Sequence, residues 1–301
     1  MIGKKASSGV RDEMKYALFL GCMIPQRIPS VEIAAKKVFE KLDIAAIELQ
    51  GYSCCPDSVV ARLLDRKMWL TLAARNLSLA EEQGLDLLVL CNGCYETLVE
   101  AKEILKRDPQ TAKEIGEILA KTGKKYEGKV KVRHVIEVLH EDVGVDKIKK
   151  FVKKPLKLRL AIHPGCHMFR ETEGGDIWRK PKQFEEIVKA TGADVVKNKL
   201  DRLCCGFPVM QVNEEFALKR NLLPKLAAYQ EHGIEGVVVS CPACNVQFET
   251  GQVLLRKYGA RYNIPCLHIV ELLAMAFGYS AKELALDIHR SPVQQLAQKV
   301  I

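Results

Sequence analysis

The stretch LDLLVLCNGC, residues 85–94, is an apolar run that ends in a Cys-x-x-Cys motif. The stretch EGVVVSCPAC, residues 235–244, repeats this arrangement 150 residues later. A short apolar run bounded by a turn signal is typical of a buried β-strand. Each Cys-x-x-Cys motif is therefore predicted to follow directly after the carboxyl end of a strand.

Ten of the eleven cysteines fall into two copies of one pattern, C-x31-CC-x35-C-x2-C and C-x37-CC-x35-C-x2-C. The similarity extends beyond cysteine, because YALFLGC (16–22) resembles RLAIHPGC (159–166), and HVIEVL (134–139) resembles HIVELL (268–273). Self-similarity over such a length indicates an internal repeat. The repeated cysteines are Cys22, Cys54, Cys55, Cys91 and Cys94, followed by Cys166, Cys204, Cys205, Cys241 and Cys244.

Apolar runs alternate with helical patterns along the chain. Residues 45–52 and 193–198 are predicted strands, and residues 31–42 and 59–80 are predicted helices. Strand–helix alternation favours an α/β fold, here two tandem Rossmann-like parallel-sheet domains related by internal duplication. The predicted division is a mobile N-terminal tail 1–14, a first domain 15–150, a second domain 151–278 and a C-terminal extension 279–301.

The cysteines of each half are predicted to converge in space. Each first cysteine, each adjacent pair and each Cys-x-x-Cys motif follows a predicted strand. Loops at the carboxyl ends of parallel strands lie at one edge of the sheet, where open α/β folds bind ligands. If the three strands of a half are neighbours, its five thiols meet at that edge.

The overall composition narrows the function classes. The net charge of +9 over 301 residues indicates either a solvated lysine-rich surface or a patch that attracts acidic partners. No nucleic-acid-binding motif appears and no apolar run is long enough for a membrane helix. The apolar stretch 16–20 is too short for a signal peptide. Eleven cysteines in a chain of this size are therefore predicted to be reduced and cytoplasmic.

Five thiols per half favour a polynuclear metal site. Structural zinc takes four ligands, and two adjacent thiolates fit a single tetrahedral ion poorly. Cubane iron–sulfur clusters usually use a compact cysteine run, which this chain lacks. The pattern favours an unusual iron–sulfur cluster in each half, with zinc and thiol-only redox chemistry as the alternatives. Cys266 lies outside the repeat and is predicted to pack as a small hydrophobic residue.

From about residue 15 to 278, the double cysteine pattern resembles the tandem CCG domains of the B subunit of heterodisulfide reductase. That family reduces the mixed disulfide of coenzyme M and coenzyme B in methanogens. The resemblance implies two non-cubane 4Fe-4S clusters that face each other across the domain interface, each held by the five cysteines of its half. One departure is Pro56, which follows the first cysteine pair where Gly206 follows the second.

The resemblance also implies a mechanism in which each sulfur of the disulfide binds one cluster as the bond splits. The substrate carries acidic groups, so Arg27 and Arg170 are candidate substrate-binding residues. His163 and His167 bracket Cys166 and are candidate catalytic residues that donate a proton or bind a cluster sulfur. His134 and His268 occupy equivalent repeat positions and are predicted to be structural.

No dinucleotide-binding fingerprint is present, so the electrons are expected from other polypeptides. The resemblance implies two other subunits of heterodisulfide reductase as partners, the cubane iron–sulfur C subunit and the flavin-containing A subunit. The alternative is an electron-transfer subunit of another oxidoreductase, of the lactate or glycolate oxidase, fumarate reductase or sulfur-oxidation type. Complete cysteine motifs in both halves, without an added ferredoxin-like module, favour the disulfide-reducing member.

Overall fold

A computed structural model describes residues 14–169 and 176–300. The first half consists of parallel strands separated by helices. Its elements are β1 Met14–Phe19, α1 Met23–Arg27, α2 Pro29–Lys41, β2 Ile44–Glu48, α3 Val60–Leu64, α4 Arg66–Glu82, β3 Asp86–Val89, α5 Asn92–Arg107, α6 Pro109–Ala120, β4 Val132–His134, α7 Val135–Glu137 and α8 Val145–Phe151. The predicted tail lies outside the described residues except for Met14, which begins β1.

The second half repeats the order of the strands. Its elements are β5 Arg159–His163, α9 Arg179–Ala190, β6 Asp194–Val195, α10 Phe207–Met210, α11 Glu214–Phe216, α12 Leu223–Glu231, β7 Gly236–Val239, α13 Pro242–Leu254, β8 Cys266–His268, α14 Ile269–Ala276 and α15 Val293–Val300. Short 3-10 or π-helical turns occupy Val138–Val143, Cys166–Phe169, Ala217–Leu222, Leu255–Tyr258 and Leu286–Ile288.

The two sheets have the same topology. The strand order is β2-β1-β3-β4 in the first sheet and β6-β5-β7-β8 in the second, with every pairing parallel. Tyr16 lies opposite Asp86 in the first sheet, and Leu160 lies opposite Gly236 in the second. The prediction of two duplicated Rossmann-like α/β domains is therefore confirmed.

The predicted helices and strands are present with shifted boundaries. Helix 31–42 appears as α2, and strands 45–52 and 193–198 appear as the shorter β2 and β6. The helix predicted over 59–80 is divided into α3 and α4 at Asp65, which is extended at φ −151° and ψ 97°. The Asp65 side chain accepts a hydrogen bond from the Met68 backbone N–H at 2.9 Å, so it caps α4 instead of continuing α3.

Alternate strand residues enter different hydrophobic cores. Leu18 and Val238 belong to one core, whereas their neighbours Phe19 and Val239 belong to the other. This follows from the period of two along a strand, which directs successive side chains to opposite faces. Both cores contain residues of both halves, and α14 of the second half packs against α2 of the first. None of the helices in residues 14–169 and 176–300 is long and apolar enough to cross a membrane.

Candidate metal centre

The sheet topology places the cysteine loops of each half side by side. In the first half, Cys22 follows β1, the Cys54–Cys55 pair follows β2, and Cys91 follows β3. The order β2-β1-β3 makes these three strands neighbours, so their loops leave the sheet at adjacent positions. The second half repeats the arrangement at β5, β6 and β7.

The first five thiols form a continuous set, called here the first quintet. Thiol-to-thiol contacts run from Cys22 through Cys54, Cys55 and Cys94 to Cys91. The Sγ atoms of Cys54 and Cys22 are 3.7 Å apart. Cys55, Cys91 and Cys94 are buried, whereas Cys54 is exposed. The loops therefore gather all five predicted ligands into one group.

The second five thiols form an equivalent set, called here the second quintet. Contacts run from Cys166 through Cys204, Cys205 and Cys244 to Cys241. Cys205, Cys241 and Cys244 are buried, in the same positions of the repeat as the buried members of the first quintet. None of these cysteines forms a disulfide.

The two quintets meet at the interface between the domains. The Sγ atom of Cys91 lies 3.9 Å from that of its repeat counterpart, Cys241. Both quintets line one cavity of about 450 Å³, whose walls include every predicted ligand except Cys204. A molecule in this cavity can therefore contact sulfur from both domains at once.

The remainder of the cavity wall is mainly apolar. Met23, Leu64 and Phe207 contribute side chains to it. Among the described wall residues other than cysteine, the titratable side chains are Asp57 and His167. The walls thus favour an apolar group.

A glycine before each first cysteine makes room for a neighbouring side chain, the Cys94 sulfur in the first half and the Asn92 amide in the second. Gly21 and Gly165 have φ angles of +69° and +79°, which lie in the region that favours glycine. A Cβ atom on Gly21 would lie 2.9 Å from the Cys94 Sγ atom. A Cβ atom on Gly165 would lie 2.7 Å from Asn92 Nδ2 and 3.6 Å from the Cys244 Sγ atom.

The thiols of each quintet compete for protons. The hydrogen bond with Cys54 raises the pKa of Cys22 far above its ordinary value. Hydrogen bonds from Cys54 and Cys94 lower the pKa of Cys55 to about 5, so this sulfur is a thiolate at neutral pH. In the second quintet, hydrogen bonds from neighbouring thiols lower the pKa values of Cys204 and Cys241, whereas crowding raises the pKa values of the remaining thiols.

This donor set fits a polynuclear metal group. Thiolate sulfur is the usual ligand of iron–sulfur clusters and of structural zinc. Five sulfurs in contact exceed the four that zinc takes, and Cys91 and Cys241 also begin helices whose N-termini stabilise thiolates. The cysteine groups therefore indicate iron–sulfur clusters as the resident cofactors.

His163 lies behind the second quintet. Its side chain is 1 % exposed, and burial lowers its pKa to about 3, so the ring is neutral. A ring nitrogen and the Sγ atoms of Cys205 and Cys244 lie within 4.8 Å of one another. Neither ring nitrogen makes a hydrogen bond of ordinary geometry within the described chain, although the Asp201 backbone carbonyl acts on the ring. His163 is not part of the cavity wall, so its position favours action through these sulfurs, and its predicted catalytic role stays a prediction.

His167 does line the cavity, and it pairs with a residue of the other domain. Its Nδ1 atom forms an ion pair with Glu96 Oε2, and the Glu96 side chain is 5 % exposed. The sequence interpretation missed Glu96, whose only signal is its place two residues after Cys94; its repeat counterpart is Val246. The pair places a proton-carrying group in the wall and also joins the two domains.

Of the two predicted arginines, the structure describes Arg27, which does not line the cavity. Arg27 is exposed at the end of α1, four residues after Met23, which does line the cavity. Residues four apart share one face of a helix, so Arg27 lies one turn beyond the wall. Arg170 lies outside the described residues.

A polar cluster that the sequence did not suggest holds the interface together. Asn92, inside the first Cys-x-x-Cys motif, donates a hydrogen bond to the Pro164 carbonyl at 2.6 Å. Ser240 donates to Asn92 Oδ1 at 3.1 Å. This cluster ties the loop that carries Cys91 to the loops that carry Cys166 and Cys241.

His134 and His268 have the structural role predicted for them. Each accepts a hydrogen bond from the backbone at the start of a helix and forms a capping box with the glutamate three residues later. His268 Nε2 also lies 3.0 Å from the Leu90 carbonyl, beside Cys91. These histidines therefore fix the backbone behind the Cys-x-x-Cys loops.

Cys266 is separate from both quintets. It lies in β8, is fully buried and does not line the cavity. Its backbone N–H donates to Ser291 Oγ at 3.1 Å, and its carbonyl accepts a hydrogen bond from Asn245 at 3.3 Å. These contacts agree with the predicted packing role.

Two α/β domains that each gather five cysteines beside a shared cavity define a tandem cysteine-rich iron–sulfur protein of the electron-transfer type. The sequence family described as CCG: Cysteine-rich domain matches residues 16–99 and 160–249. The chain belongs to the family of heterodisulfide reductase B subunits.

Three relatives match most of the chain. The chain is 38% identical over 277 residues to the B subunit of a ferredoxin/F420H2-dependent CoB-CoM heterodisulfide reductase of Methanosarcina acetivorans, covering 91% of this chain and 92% of that protein. It is 37% identical, with the same coverage, to the B subunit of a ferredoxin:CoB-CoM heterodisulfide reductase of Methanosarcina mazei. It is 34% identical to the 8-methylmenaquinol:fumarate reductase membrane anchor subunit of Wolinella succinogenes, covering 91% of this chain and 96% of that protein.

A solved structure supports the fold. A hypothetical protein from Helicobacter pylori superposes with a TM-score of 0.73 over 92% of this chain and 51% of that chain. The sequence identity is 19%, so the likeness concerns the fold alone. The chain spans about half the length of that protein.

Proposed function

We propose that this protein is the catalytic subunit of a heterodisulfide reductase, which reduces the coenzyme M–coenzyme B mixed disulfide to two thiols at two non-cubane 4Fe-4S clusters. The observation that carries the proposal is the single cavity onto which both quintets open, with Cys91 and Cys241 in contact across it. An electron carrier needs only one cluster close to its surface. A cavity shared by two sets of ligands suits a substrate with two sulfurs.

The reaction needs two electrons and two protons for each disulfide. The S–S bond breaks, each sulfur gains one electron and one proton, and two thiols leave. When bound, the clusters supply the electrons, one from each domain, so that neither half of the substrate has to leave as a radical.

The protein binds and shields the substrate in this proposal. The apolar wall around Met23, Leu64 and Phe207 excludes water from the disulfide. His167, held by Glu96, supplies a proton to a sulfur that leaves. Arg27 and Arg170 are the proposed partners of the acidic groups of the substrate, which would extend out of the cavity.

The electrons come from other polypeptides of the complex. Membership of this family implies a multi-subunit complex, and we propose the cubane iron–sulfur C subunit and the flavin-containing A subunit of heterodisulfide reductase as the partners. We also propose a cytoplasmic location, because eleven free cysteines need a reducing compartment.

The test uses the full chain prepared anaerobically with its iron and sulfide. Reduced protein is mixed with the coenzyme M–coenzyme B disulfide, and free thiols are counted. We expect two new thiols for every two electrons lost, and sulfur density in the cavity of a soaked crystal. No consumption of disulfide by fully loaded, reduced protein would refute the proposal.

A second function is favoured by the relative from Wolinella succinogenes, which is named as part of a fumarate reductase. In that case the two clusters only pass electrons, and the cavity receives no disulfide. The same mixing experiment separates the two functions, because a pure carrier accepts and releases electrons without forming thiols.

A further inference from the structure

The two quintets have different neighbours at equivalent positions of the repeat. The residue three places before the first cysteine is Phe19 in the first half and His163 in the second. Phe19 packs against the Tyr52 ring, with the ring centroids 4.8 Å apart. Thus an apolar ring lies behind one quintet and an imidazole behind the other.

The imidazole of His163 can donate a hydrogen bond that Phe19 cannot. A neutral histidine carries one N–H group, and neither nitrogen of His163 makes a hydrogen bond of ordinary geometry with the residues that the structure describes. A buried donor without a partner is costly. One ring nitrogen lies within 4.8 Å of the Cys205 and Cys244 sulfurs, so these sulfurs and the Asp201 backbone carbonyl, which also acts on the ring, are the acceptors near this donor.

A charged residue near the first quintet also makes the two sites different, because it disfavours added negative charge there. Asp57 lines the cavity beside the first quintet, two residues after Cys55. Its counterpart, two residues after Cys205, is Phe207. A carboxylate disfavours added negative charge, and its negative charge acts on the Cys55 thiol.

The buried lysine of the second half favours reduction of the second site. Lys225 is fully buried, and its charge acts on Asp201 and on the Cys204, Cys205 and Cys244 sulfurs. The counterpart of Lys225 is Arg75, which donates to the Gly51 carbonyl at 2.9 Å and is partly exposed to screening water. The buried Lys225 therefore adds to the difference between the sites that His163 and Asp57 make.

From these differences, and resting on the proposed iron–sulfur function, we infer that the second site is the easier one to reduce and that it receives the first electron. Hydrogen bonds to sulfur and local charge set the reduction potential of iron–sulfur sites. His163 is a positioning residue in this scheme, because it acts through the sulfurs and does not touch the substrate. The order of reduction would give the disulfide a fixed direction in the cavity.

The test is a spectroscopic redox titration of the iron-loaded full chain without any disulfide. The wild-type protein is expected to accept electrons in two separate steps. His163→Phe places in the second half the residue that the first half has. It is expected to lower the higher of the two reduction potentials, so the gap between the two potentials becomes smaller. Asp57→Asn raises the potential of the lower step and also narrows the gap. Asp176→Asn, on the described surface away from the cavity wall, is the matched control and leaves both steps in place.

The His163→Gln variant distinguishes an effect of His163 on the reduction potential from an effect on the folding of the site. Glutamine keeps an N–H donor, so this variant is expected to retain full iron content and most of the gap, even if His163→Phe loses iron. A single step in the wild-type protein, or an unchanged gap in His163→Phe at full iron content, would overturn the inference. Loss of iron in both His163 variants would also overturn it, because His163 would then hold the site together and not tune it.

The titration is independent of the proposed enzyme activity. A protein with two separated steps that does not reduce the disulfide would refute the proposed function and leave this inference standing. A protein that accepts its electrons in one unresolved step and still reduces the disulfide would refute this inference and leave the proposed function standing.

Discussion

At the scale of the residue, Cys54 and Cys266 are the same amino acid in different surroundings. Cys54 is exposed in the cavity wall, 3.7 Å from the Cys22 sulfur, whereas Cys266 is fully buried in a strand. Spacing in the sequence was enough to separate them, because only Cys54 belongs to the repeated pattern. It could not reveal Glu96 as the partner of His167, since that contact joins residues far apart in the chain.

Replacing each of these two cysteines tests the ligand assignment. Cys54→Ala removes a sulfur from the first quintet, so we expect loss of up to half of the bound iron and at least a tenfold loss of disulfide reduction. Cys266→Ala removes only a small buried group, so we expect a stability loss of about 1 kcal/mol with iron content unchanged. Iron and acid-labile sulfide analysis of both variants checks this. Equal iron loss in the two proteins would show that Cys266 also supports a cluster.

At the scale of the element, the predictions from periodicity were correct in type and less accurate in extent. Apolar spacing indicated one helix over residues 59–80, because the apolar period continues across the break at Asp65. The break depends on a capping hydrogen bond, which competes with helix continuation and leaves the apolar period unchanged. The two-residue strand β6 is also shorter than predicted, since its pairing with β5 ends after Val195.

The C-terminal extension is held by a buried ionic cluster that periodicity does not reveal. His289 has a fully buried side chain, with Nδ1 2.9 Å from Glu249 and Nε2 2.9 Å from Glu271. Glu271 also accepts a hydrogen bond from the His268 backbone, so the extension is tied to the cap behind Cys91. Burial opposes the charge of His289, but the two carboxylates outweigh it and raise its pKa to about 10.

This cluster predicts how stability depends on pH. Because the folded pKa of about 10 exceeds the ordinary value of 6.5, the stabilisation is fully present below pH 6.5 and is lost as the pH rises through 10. His289→Gln leaves two buried carboxylates without a cation and is expected to cost about 3–5 kcal/mol at neutral pH. Thermal unfolding from pH 6 to pH 10.5 checks this, with the exposed His232→Gln as the control. A constant difference between wild type and His289→Gln across this range would contradict the prediction.

At the scale of the whole molecule, the convergence of cysteines within each half was easier to predict from the sequence than the contact between the halves. Parallel strands direct their following loops to one edge, so convergence within a half follows from topology alone. The meeting of the two edges depends on individual contacts, such as Asn92 with Pro164 and His268 with Leu90. Neither pair has a recognisable sequence pattern, because each joins the two halves through a backbone carbonyl.

Asn92 provides the clearest test of whether the two sites work as one. Its amide donates to the Pro164 carbonyl and accepts from Ser240, so Asn92→Ala removes two hydrogen bonds across the domain interface. The expected stability loss is about 1–3 kcal/mol, since the buried Pro164 carbonyl loses its shorter hydrogen bond and keeps only the one from Ser240 at 3.4 Å. Asn213→Ala, which removes only the cap of α11, is the control.

If the disulfide must touch both sites together, a looser interface lowers its reduction more than it lowers cluster binding. We therefore expect Asn92→Ala to keep its iron and to accept electrons normally, while disulfide reduction falls at least tenfold, because small errors in placing reactive groups carry large costs in rate. Asn213→Ala should keep both properties. Iron analysis, reductive titration and thiol counting on the same preparations check this. Full activity in iron-replete Asn92→Ala would mean that one quintet reduces the disulfide without the other, and that the contact between Cys91 and Cys241 serves packing alone.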